Sequence, residues 1–94
     1  MREYALNLEK QGISHDRYQE LHHFCLQYDA LSQRGRDMID AAAKRAAGQY
    51  SAELKKNICN RDMPYRFIDI PYSESQFKRM RRMFYVYLNE TKEK

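Results

Sequence analysis

The 94-residue chain carries 17 Lys and Arg against 13 Asp and Glu, and it is polar by mean hydropathy, yet it holds eight Tyr, four Phe and five Met. One domain of this length buries only about 60–65% of its unfolded surface, enough for a core but too little for a deep enzyme cleft. No apolar run approaches the roughly 18 residues of a membrane span, and the start MREYALNLEK lacks a signal-peptide core, so no membrane partner is expected and the expected compartment is the cytoplasm.

Residues 1–13 show brief alternation at Tyr4, Leu6 and Leu8 before Gly12, which fits an extended arm or an irregular lead-in. Ser14 is an N-cap candidate, with Asp16 in the first turn, for a helix running to about Gln33. Its stripe of Tyr18, Leu21, Phe24, Cys25, Tyr28 and Leu31 repeats at three- and four-residue spacing. Gly35 then breaks the pattern. A second helix is expected over 37–47, with Met38, Ile39, Ala42, Ala43 and Ala46 on one side and an Asp40–Lys44 pair on the other. Gly48 is the expected C-cap, although one long helix continuing through it keeps the apolar stripe nearly in phase. A third helix from Ser51 to about Asn60 buries Leu54 and Ile58, and Pro64 opens a short helix containing Tyr65, Phe67 and Ile68.

The last segment, IPYSESQFKRMRRMFYVYL over 70–88, combines a helix start, a basic face and an apolar stripe. Ser73 and Gln76 have capping-box spacing, and Pro71 keeps the preceding chain extended. A helical wheel assigns Phe77, Met80, Met83, Phe84, Tyr87 and Leu88 to the core; Lys78, Arg81, Arg82, Tyr85 and Asn89 are assigned to the other side, with Arg79 at its margin. Cations packed this closely repel one another, so a polyanion is a natural counter-surface; the plainer alternative is the wet face of an amphipathic helix. The apolar FYVYL stretch leaves two options open, a homodimer interface or cover by the N-terminal arm.

Cys25 and Cys59 lack CxxC spacing and are expected to be free thiols. His15, His22, Cys25 and Asp29 lie along one helix flank, where they would not enclose a tetrahedral ion, so neither a metal nor a cofactor is expected. No nucleophile, base and orienting acid can be assembled from these residues, which argues against an enzyme.

In order, YQELHHFCLQY, an alanine-rich helix, LKKNIC, a Pro64–Tyr65 pair and IPYSESQFKRMRRMF follow one another. This succession resembles a family of small phage and prophage proteins of Gram-positive bacteria. Its last part is similar to the helix-turn-helix of the ArpU and RinA late-gene regulators, with Tyr65, Ser73, Phe77, Arg81 and Arg82 in the matching places. The resemblance implies an all-α domain of four to five helices, with an arm at 1–13, a bundle at 14–60 and a helix-turn-helix-like unit at 62–91. It also implies a transcriptional regulator that binds double-stranded DNA through the 74–90 helix. Lys78 and Arg82 would reach base edges with Ser75 beside them, Arg79 and Arg81 would bracket the backbone, and Lys55, Lys56 and Arg66 would add phosphate contacts. Two departures count against sequence-specific readout: the lead-in between Tyr65 and Pro71 is short, and Glu74 stands at the first helical position. The alternative is a phage adaptor or inhibitor that docks the same helix on an acidic protein surface, or a packaging-related small subunit.

Overall fold

The structure is a computed structural model that describes residues 12–59 and 73–92, all of whose regular elements are helical. They form α1 (His15–Leu26), α2 (Gln33–Ala47), α3 (Ser51–Cys59) and α4 (Glu74–Lys92), with 3-10 turns at Tyr28–Ala30 and Gly48–Tyr50. Residues 1–11 of the arm expected over 1–13, and the expected short helix and turn between Pro64 and Tyr72, lie outside the described residues, while Ile13 at the arm's end is buried. No described helix is long and apolar enough to cross a membrane.

Ser14 caps α1 as its spacing predicts, its hydroxyl accepting the Arg17 amide at 3.1 Å. The helix stops at Leu26, well short of the expected end near Gln33, because a second cap intervenes. Ser32 accepts the Gly35 amide at 3.3 Å and starts α2 at Gln33. Arg36 fixes the turn between the two helices by donating to the carbonyls of Tyr28 and Asp29 at 3.3 and 2.9 Å. Gly35 therefore lies inside α2 and does not break it. A Cβ there would come within 3.1 Å of Leu31 Cβ and 3.5 Å of the Phe24 ring, so its bare backbone serves close packing.

Gly48 ends α2 with φ +56° and donates its amide to the Lys44 carbonyl, which removes the option of one continuous helix. The site is open enough for a methyl group, so the penalty of a side chain there is conformational. Gly48→Ala is expected to lower stability by about 1 kcal/mol in urea titration; a neutral or stabilising result would contradict the left-handed cap.

One core joins the helices: Ile13, Tyr18, Leu21 and Cys25 meet Ile39, Ala42 and Ala43 of α2, Leu54 and Ile58 of α3, and Phe77, Phe84, Tyr85 and Leu88 of α4. The small residues of α2 admit α4, its most extensive packing partner. Val86 and Tyr87 pack partly buried against this core, and Arg45 lies over the Tyr87 ring at 3.9 Å. The chain itself thus covers most of FYVYL, which weakens the reason for invoking a dimer.

Candidate nucleic-acid interface

Helix α4 begins with the expected reciprocal cap. The Ser73 amide donates to Gln76 Oε1 at 3.0 Å, and the Gln76 amide donates to Ser73 Oγ at 3.2 Å. This fixes the helical phase of every later side chain. With 3.6 residues per turn, Ser75, Lys78, Arg79 and Arg82 fall within roughly 100° of arc, turned away from the Phe77–Phe84–Leu88 seam. Ser75 and Arg79 are exposed, while Lys78 and Arg82 are half-buried. None of these three cations forms an ion pair with a described side chain, and the buried Nε of Arg82 has no hydrogen-bond partner among the described residues.

Arg81 and Tyr85 correct the wheel. Both were expected on the outward side. Arg81 stands four residues from each of Phe77 and Tyr85, so one turn of helix returns it to the face that packs inward. Tyr85 is fully buried and makes edge contacts with Tyr18 at 5.0 Å and Phe84 at 5.2 Å between ring centroids. Its hydroxyl meets His22 Nδ1 at 3.0 Å and the Arg81 guanidinium. Burial, reinforced by Tyr18 and Cys25, pushes the Tyr85 hydroxyl well above its ordinary pKa, while Arg81 acts in the opposite sense. Arg81 is half-buried and shares its guanidinium with the Tyr85 hydroxyl, so it is less free than the exposed Arg79 to turn towards a phosphate. Asn89 belongs to the α1–α4 contact, accepting from Arg17 Nε at 2.6 Å. Met80, Met83 and Tyr87, expected in the core, are only half-buried.

The remaining predicted site residues separate. Lys55 is turned into the fold, where its Nζ donates to Asp40 at 2.6 Å and to the Tyr28 hydroxyl at 3.3 Å and lies over the Tyr28 ring. Asp40 thus pairs across helices with Lys55, not along α2 with the exposed Lys44. Lys56 is exposed on α3, and Arg66 lies outside the described residues.

Partial burial works against both charges of the Lys55–Asp40 pair. The hydrogen bonds among Lys55, Asp40 and Tyr28 outweigh it, leaving the Asp40 carboxyl below and the Lys55 ammonium above their ordinary values of 3.8 and 10.5. The pair's contribution is therefore full between those values, falls as acid takes the pH through the lowered Asp40 value, and falls again as alkali takes it through the raised Lys55 value. With side chains 28% and 43% exposed, screening limits its size, and Asp40→Asn is expected to cost about 1 kcal/mol at neutral pH. Denaturant midpoints across pH would show wild type and variant converging in acid; equal midpoints at neutrality would remove the pair from the stability account.

The histidines and the cysteine of α1 have divergent partners: His15 meets Gln19 at 3.2 Å, His22 meets Tyr85, His23 meets Gln27 at 3.1 Å, and Cys25 meets Cys59. Among the described residues no group of three metal-ligating side chains converges. Comparison with protein-family models, curated proteins and solved structures gives no match to this chain.

Proposed function

We propose that the protein binds double-stranded DNA along the outward arc of α4 and acts as a phage-type transcriptional regulator. The observation that carries this reading is the set of three cations, Lys78, Arg79 and Arg82, on one arc of a 19-residue helix without acidic partners among the described side chains. Closely spaced cations gain most from a surface that is itself a regular array of anions. Ser75 on the same arc can donate to a phosphate oxygen. The regulator role comes from the likeness of 70–84 to late-gene regulators, and the DNA contact from the charge geometry.

The test is fluorescence anisotropy of a labelled random-sequence duplex at low salt, followed by a pull-down from host lysate with and without nuclease. Duplex binding that weakens steeply with salt supports the proposal. An absence of duplex binding at low salt, together with a stoichiometric protein complex that survives nuclease, would replace it with the adaptor reading.

A further inference from the structure

Cys25 of α1 and Cys59 at the end of α3 are both free thiols, and their side chains are hydrogen-bonded to each other. They differ in access: Cys25 is fully buried, whereas Cys59 is half-buried. Lys55, one helical turn before Cys59, sets a positive charge near it. We propose that Cys59 is a hydroperoxide-reactive thiol and Cys25 its resolving partner, so that oxidation closes a disulfide between α1 and α3. Neither cysteine belongs to the outward arc of α4, so the inference stands apart from DNA binding.

The surroundings divide the two roles. The hydrogen bond from Cys25 and the charge of Lys55 favour the Cys59 thiolate against partial burial and the weaker influence of Asp40 and Asp29, and its pKa is lowered. The hydrogen bond to Cys59, burial and the charge of Cys59 hold the Cys25 proton in place, with Lys92 opposing them. Thiolate character and access select the thiol that is oxidised first. The Cys59 thiolate attacks one peroxide oxygen, the O–O bond breaks, and the departing hydroxide takes a proton and leaves as water. Cys59 is then a sulfenic acid. The Cys25 sulfur attacks the Cys59 sulfur, the S–O bond breaks, and the Cys25 proton leaves with the hydroxyl as a second water. Two thiols and one peroxide become one disulfide and two waters. The second step joins two side chains that are already partners in the reduced protein.

The test treats the reduced full chain with hydrogen peroxide and follows free thiols, intact mass and melting. Wild type should lose both thiols within the monomer and two hydrogens of mass, and its Tm should rise on the order of 10 °C, because the new bond restrains the unfolded chain. Cys25→Ser should stop at a sulfenic acid on Cys59 that a dione reagent traps; Cys25→Ala supplies the same arm if the buried serine hydroxyl prevents folding. Cys59→Ser should react at least about tenfold more slowly with peroxide. Disulfide-linked dimers in place of the internal bond, a Cys25 thiol that survives in oxidised wild type, or undiminished reactivity of Cys59→Ser would overturn the proposal.

Discussion

Tyr85→Ala is expected to destabilise the protein by about 3–5 kcal/mol, the range for deleting a fully buried aromatic ring. For a domain of this length that is a large share of a total of about 5–14 kcal/mol. The ring lies between Tyr18 and Phe84, so its removal leaves the α1–α4 contact without its centre. Tyr85→Phe keeps that packing and deletes only the hydroxyl that His22 and Arg81 share, for about 1–2 kcal/mol. The two variants together separate ring from hydroxyl. The raised Tyr85 pKa adds a signature in alkali: above the ordinary value of 10.0 the unfolded chain gives up this proton while the folded chain keeps it. Stability therefore falls as pH rises past that value, and Tyr85→Phe loses this part of the slope. Urea titrations of the three proteins check both statements, and a Tyr85→Ala midpoint equal to that of wild type would return the side chain to the solvent face.

Salt dependence of the proposed duplex binding is the second large effect expected. With Arg81 turned inward and Lys55 held by Asp40, one copy offers Lys78, Arg79 and Arg82 on the α4 arc. Three phosphate contacts lower duplex affinity roughly 40-fold between 50 and 200 mM salt, and six contacts about a thousandfold. The shallower dependence is expected of a single copy bound through this arc alone; the steeper would require two copies or further cations. Arg79→Ala combined with Arg82→Ala should reduce the logarithmic salt slope by about 2. Arg81→Ala should leave the slope unchanged and lower the melting temperature. A salt slope that responds to Arg81 and ignores Arg79 and Arg82 would refute the assignment of faces.

What was legible in the sequence was local. Ser14, the Ser73–Gln76 pair and Gly48 each act within four residues, and each cap forms where its spacing predicts. Leu54 and Ile58 are buried as their periodicity requires. The Ser32 cap was equally local, but the apolar residues Tyr28 and Leu31 extended the stripe beyond the end of α1 at Leu26 right up to that cap and disguised the turn. Tyr85 was misplaced because it stands at the margin of the apolar stripe on the wheel, and the groups that satisfy its hydroxyl lie far along the chain at His22 and one turn away at Arg81. Asp40 has a suitable cation four residues away and takes one fifteen away instead. Tertiary pairs of this kind, Cys25 with Cys59 among them, leave no periodic trace.

Two of the ties described above join the two ends of the described chain: Arg17 to Asn89, and His22 to Tyr85. Helix α4 also supplies Phe77, Phe84, Tyr85 and Leu88 to a core that α1, α2 and α3 share. During synthesis the first three helices thus emerge from the ribosome with one wall of their core missing. Tyr18, Leu21 and Ile39, buried in the folded chain, are expected to stay incompletely covered until α4 has emerged. Folding is accordingly expected to wait for α4, and a nascent chain stalled before α4 should be cleaved readily by protease.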